Sequence, residues 1–76
     1  MDQKVERGLY RHFKGKLYFV HGVVLKVEDM EEEYVLYEAL YGEPGRQFVR
    51  SVGNFTEQVS RPEIGYEGPR FCREPG

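Results

Sequence analysis

The 76 residues carry 11 Lys and Arg against 13 Asp and Glu, a formal net charge of −2, with two His and one Cys. That balance excludes a global pull toward duplex nucleic acid, and the lone Cys72 excludes an internal disulfide or a Cys-x-x-Cys metal or redox motif. No apolar run nears the ~18 residues of a membrane helix and no signal-type h-region appears, so the expectation is a cytoplasmic domain without membrane contact.

A chain this short buries only roughly 60% of the surface it exposes when unfolded. Residues 1–76 therefore read as one domain, with 1–7 and 73–76 expected to fray. Six Tyr and five Phe have to supply much of its core. The charges are segregated. Arg7, Arg11, His12, Lys14 and Lys16 form a basic start; Glu28, Asp29, Glu31, Glu32 and Glu33 form an acidic middle, read as a solvated connection.

Gly8 opens the densest stretch, Gly8-Leu9-Tyr10-Arg11-His12-Phe13-Lys14-Gly15. Extended, it sets Leu9, Arg11 and Phe13 on one face and Tyr10, His12 and Lys14 on the other. Lys14-Gly15-Lys16 reads as a turn. Leu17 to Val27 is β-branched and apolar on both faces, a central strand with Gly22 as bend or bulge. The two runs predict a hairpin. A calcium loop through Asp29, Glu31 and Glu33 fails, because Tyr34 stands at the required glycine and Leu40 at the required glutamate. Tyr34 to Tyr41 fits a helix or a strand equally well by periodicity. Gly42-Glu43-Pro44-Gly45 is a turn. Gln47 to Val52 is a short strand with Phe48 and Arg50 on one side and Val49 on the other. Gly53-Asn54 breaks it, and Phe55 plugs the core from a single turn. Thr56 to Val59 adds a strand, 61–68 is loop, and Pro69-Arg70-Phe71 returns with one apolar anchor. Leu9, Phe13, Val20, Val23, Leu40, Val49 and Phe55 are the expected core.

The string from Gly8 to Gly15 resembles an uncharacterised bacterial family of small domains known by its Tyr-Arg-His-Phe-Lys-Gly signature. The likeness continues through Tyr18, Val20, Tyr37-Glu38-Ala39-Leu40-Tyr41-Gly42, Phe48-Val49-Arg50, Phe55 and Pro69-Arg70-Phe71. It implies a mainly β fold, a small SH3-like barrel or roll of about five strands with a short helical turn, in which 34–41 is a strand. The family's function is unknown. Phe48 stands where it usually has Trp, and Ser51 where it usually has Pro.

Function has to be sought in side chains. An Arg fork can hold a carboxylate or phosphate bidentately, and His adds a pH-sensitive donor. Arg11, His12 and Arg50 are the candidate ligand-binding residues, with Tyr10, Tyr37 and Tyr41 as stacking or hydroxyl neighbours. A structural role for Arg11, paired to an acid such as Glu38 at the core margin, stands beside that reading. A metal site would need His12, His21, Cys72 and a carboxylate to converge from spacings that hold no short ligand pair. No nucleophile elbow or phosphate-cradling glycine loop is present, so no catalytic residue, metal or cofactor is expected. The expectation is a non-catalytic binding module for an anionic ligand, a peptide or single-stranded nucleic acid. The alternative is a structural domain acting through a homodimer whose Tyr-rich sheet face is buried.

Overall fold

Short β-branched and aromatic runs separated by glycine turns leave little room for helix, and strands dominate the result. The computed structural model describes residues 5–75. Among them lie seven strands: β1 (Gly8–His12), β2 (Leu17–Lys26), β3 (Asp29–Ala39), β4 (Gln47–Ser51), β5 (Gln58–Arg61), β6 (Tyr66–Pro69) and β7 (Phe71–Arg73). A single-turn helix α1 (Val52–Phe55) follows β4, and a 3-10 turn (Pro62–Ile64) joins β5 to β6. Five strands form an antiparallel sheet in the order β4-β3-β2-β1-β7, and β5 and β6 pair separately. The fold is thus mainly β, as expected, but with seven strands rather than about five. The large sheet stays open, with β4 and β7 as its edges, instead of closing into a barrel.

The β1–β2 hairpin turns at Gly15, whose φ of +104° favours glycine. Gly22 marks a bulge as expected, since the β2–β3 register shifts between Val20 and Gly22. The segment 34–41, ambiguous by periodicity, is strand through Ala39. The acidic middle is less of a connection than its composition suggests. Only Val27 and Glu28 separate β2 from β3, and Asp29 to Glu33 are exposed strand residues that lengthen the hairpin into an arm.

Cross-strand pairing decides which side chains turn inward. Tyr10 faces Tyr18, Val20 faces Tyr37, Tyr37 faces Phe48, Val35 faces Arg50 and His12 faces Phe71. Opposed residues share a face, so this side carries the core cluster of Tyr10, Val20, Val35, Tyr37, Phe55 and Phe71. Val20 and Phe55 are buried as expected. The other expected core residues are not. Leu9 belongs to the opposite face of β1 and is exposed, and Phe13 lies past the strand end, half-buried. Val23 is inward in parity and opposite the buried Val35, but it is 40% exposed because β1, whose pairing with β2 stops at Val20, does not reach beside it. Leu40 and Val49 are exposed at 49% and 59%, because the outward alternation of β4 carries Val49 away from Phe48 and Arg50.

Two further expectations change. Residues 61–68 are not plain loop, since they contain the end of β5, the 3-10 turn and part of β6. The chain ends also dock more than expected. Val5 packs against the core and the Glu6 backbone holds the Tyr10 hydroxyl. Arg73 closes β7, and the Glu74 N–H donates to the Leu9 carbonyl at 2.8 Å. The expectation of fraying at residues 1–4 and 76 lies outside the described residues.

Candidate functional site

Phe71 is the ring around which the inner face is built. It stacks on Phe55 with centroids 4.1 Å apart and planes 5° from parallel. His12, Tyr18 and Tyr37 meet it edge-on at 4.9, 5.5 and 5.6 Å, a geometry that sets positive ring edges against a negative ring face. The guanidinium of Arg50 lies 5.8 Å from the same ring centre. A short terminal strand therefore delivers the side chain that collects residues from β1, β2, β3, β4 and α1.

Polar groups gather at the rim of this cluster. Arg50 donates from Nε to the Tyr37 hydroxyl at 3.1 Å and from Nη1 to Asn54 Oδ1. Asn54 Nδ2 donates to Glu57 Oε1 at 3.2 Å, and the same oxygen accepts from Arg70 Nη2 at 2.8 Å. The result is one network, Arg50–Asn54–Glu57–Arg70, with a single carboxylate between two guanidiniums. Ser51 caps α1 by accepting from the Asn54 N–H, which fixes Asn54 in place. Backbone bonds from Phe13 N–H to Arg70 O and from Arg70 N–H to Glu57 O tie the segments together.

His12 lies beside this network. Its Nδ1 accepts from the Lys14 N–H at 3.1 Å, so the neutral ring carries its proton on Nε2. Its pKa falls below 6.5, first because the ring is partly buried and then because Arg50, Arg70 and Lys14 repel a further positive charge. Tyr18 and Tyr41 share a hydroxyl hydrogen bond of 2.8 Å. Burial, with that bond, pushes the Tyr18 pKa up to about 12 and keeps the phenol neutral. Arg70 Nε is buried with no hydrogen-bond partner among the described residues. No acceptor is found there for His12 Nε2 or Arg50 Nη2 either. His12 and Arg50 thus each keep an unused donor beside the Phe71 ring, and donors in such a setting suit an anion.

Of the residues singled out in the sequence, His12, Arg50 and Tyr37 meet here, and Tyr41 lies next to them through Tyr18. Tyr10 does not. It is buried in the core, its ring 5.5 Å from Phe55 and its hydroxyl donating to the Glu6 carbonyl. Arg11 points from the opposite face of β1, where Nε reaches Glu74 Oε2 at 2.9 Å and Nη1 reaches the Gly15 carbonyl. Its partner is Glu74 and not Glu38, which pairs with His21 at 2.9 Å. Sequence reasoning missed Arg70, Asn54 and Glu57. Arg70 sits inside Pro69-Arg70-Phe71, a string already conspicuous in the family likeness, and that was its one signal.

His12, His21 and Cys72 occupy separate places: the inner rim, the Glu38 pair and an exposed edge strand. Among the described residues no group of three or more His, Cys, Asp or Glu could hold a metal ion, and no helix is long and apolar enough to cross a membrane.

A family model described as "Protein of unknown function (DUF1653)" matches residues 8–73. Among solved structures, the crystal structure of a protein of that family from Bordetella bronchiseptica is 30% identical to this chain. The match covers 95% of this chain and 90% of that one, with a TM-score of 0.82. No curated protein matches the chain at a significant level.

Proposed function

We propose that this chain, which belongs to the DUF1653 family of proteins of unknown function, is a non-catalytic binding module that takes an anionic ligand at the rim around His12, Arg50 and Arg70. The observation that carries this reading is the gathering of Arg50 and Arg70 beside His12, close enough that both oppose a positive charge on its ring. Two guanidiniums against the single Glu57 carboxylate leave the network cationic. By fold-level analogy, SH3-like rolls use an open sheet rim of this kind for binding. The single free cysteine suits a cytoplasmic setting.

The test is a nuclear magnetic resonance titration at low salt with inorganic phosphate and, separately, acetate. The His12 ring and the Arg70 Nε–H signals are expected to shift and saturate together, and Arg50→Ala is expected to abolish saturation while the chain stays folded. Shifts that never saturate, or that survive Arg50→Ala unchanged, would remove the site.

Self-association is the second reading, and one observation favours it. Tyr10 and Tyr37 are buried within the chain, so a dimer would use the outer face, where Leu9, Val24 and Val49 are exposed. An open apolar groove of about 270 Å³ runs there between Val24, Leu25, Lys26, Tyr34 and Val49. Sedimentation velocity over a wide concentration range decides it: a concentration-dependent dimer that Val49→Lys dissociates supports this reading, and a monomer throughout rejects it.

A further inference from the structure

The rim continues on both sides of the proposed anion site, and its continuation narrows the class of ligand. From Phe71 the rings run without a gap to His12 at 4.9 Å and on to Phe13 at 4.5 Å. In the other direction they run to Tyr18 at 5.5 Å and on to Tyr41 at 5.6 Å. Tyr66 stacks on Phe13 at 5.4 Å beyond His12, and two cations lie near the Phe13 ring on one side of the path and two near Tyr41 on the other. Arg61 and Lys14 lie 5.4 and 6.0 Å from the centre of Phe13. Lys16 and Arg46 lie 5.0 and 5.1 Å from the centre of Tyr41.

Within 4 Å none of these four flanking cations meets a carboxylate among the described residues, and neither does Arg50. In a chain of net charge −2 that is a marked segregation. The acidic arm lies at the other end of β3, since Asp29 begins the strand and Ala39 ends it beside the site. A lone small anion has no use for charge spread over so long a path. A ligand with several linked charges does.

We infer that the ligand is a single-stranded nucleic acid, with one internal phosphodiester at His12, Arg50 and Arg70 and its neighbours on the Phe13 and Tyr41 flanks. This rests on the anion-binding reading above and goes further by fixing the class. The rings distinguish nucleic acid from an acidic peptide. Phe48, 38% exposed, stands at the sheet edge with Arg46 over it at 5.9 Å. A base can stack on such a ring, whereas its negative face repels a carboxylate. Duplex DNA is disfavoured by the overall negative charge.

Fluorescence anisotropy of a labelled mixed-sequence oligonucleotide of about ten nucleotides tests it, since single-strand sites commonly span ~4–16. With three phosphates engaged, log K is expected to fall against log salt with a slope of about −2, at ~0.7 per phosphate. Lys16→Gln combined with Arg46→Gln removes the Tyr41 flank and should flatten the slope by about 0.7, while inorganic phosphate still shifts the His12 ring as before. Lys14→Gln reports on the other flank independently. If inorganic phosphate binds but the oligonucleotide does not, or the flanking variants leave the slope unchanged, this inference is overturned and the anion site stands. If a poly-glutamate peptide binds as tightly with the same dependence on the flanks, the inference yields to an acidic protein partner. If neither phosphate nor oligonucleotide perturbs His12, both readings fall.

Discussion

Arg11 leaves β1 on the outer face of the large sheet, its side chain 47% exposed, with Glu74 and a backbone carbonyl as partners. Arg50 leaves β4 on the inner face, over the Phe71 ring, with Tyr37 and Asn54 as partners. Both are guanidiniums on strands flanked by apolar residues, and in sequence they are equivalent candidates. Arg11 is satisfied by groups that sit in water, so replacing it exchanges one hydrated ion pair for solvent. Arg50 holds together a hydroxyl, an amide and a ring that would otherwise be poorly partnered. Strand parity, more than residue type, separates a surface charge from a site.

The comparison is broken most directly at the ring under Arg50. Phe71→Ala should cost about 3–5 kcal/mol in urea unfolding, because the space it leaves is lined by four other rings that cannot all collapse into it. A loss below about 1 kcal/mol would mean that Phe71 is not what organises the inner face.

The two arginines themselves come next. Arg50→Ala should lower stability by roughly 1–2 kcal/mol, through the orphaned Tyr37 hydroxyl and Asn54 amide. Arg11→Ala should cost less than about 1 kcal/mol, as exposed pairs do. Equal losses from the two would erase the distinction between faces.

Acidity sharpens it further. The folded state depresses the His12 pKa below 6.5, so the fold favours the neutral ring. The stability this contributes is complete above pH 6.5 and is lost as pH falls from there through the folded pKa, since the unfolded chain takes up the proton first. Arg50→Met removes a repelling charge, so proton resonances of the ring should titrate at higher pH than in wild type, while Arg11→Met leaves them in place. A phosphodiester, whose single charge does not titrate in this range, acts in the same direction when bound at the rim, so its binding should strengthen as pH falls through the folded pKa.

The smallest effect is expected at the arm. Glu31→Gln with Glu33→Gln should move stability by no more than about 0.5 kcal/mol, because both side chains stand in water. A calcium-dependent rise in Tm, absent with magnesium, would contradict that.

Much of the strand pattern was legible. Gly15, Gly22 and the 42–45 turn punctuate the chain where the hairpin, the bulge and the β3–β4 connection fall, and Phe55 reads as a plug. The inward face of β1 was not legible, because Leu9 with Arg11 and Tyr10 with His12 are equally mixed sets. Only the partners across the sheet, Tyr18 and Phe71, break the tie, and one of them arrives some 60 residues away by the numbering of the pair His12–Phe71. The candidate site was half legible for the same reason. His12 and Arg50 announce themselves by chemistry, whereas Arg70, Asn54 and Glu57 matter only through a network that joins α1 to the segment before β7.

The pairing of β1 with β7 bears on how the chain is made. A ribosome delivers Phe71 after almost every residue that packs on it. A nascent chain that has emerged only as far as Pro69 has its long hairpin and its plug, Phe55, but not the ring between Phe55 and His12. Hairpin contacts are local and close quickly, whereas this closure spans nearly the whole chain. The interior is therefore consolidated only once Phe71 has emerged, after the local hairpins have closed. A chain stopped after Pro69 should lack the cooperative melt of the 76-residue chain, and proteolysis of stalled nascent chains would report when that protection arrives.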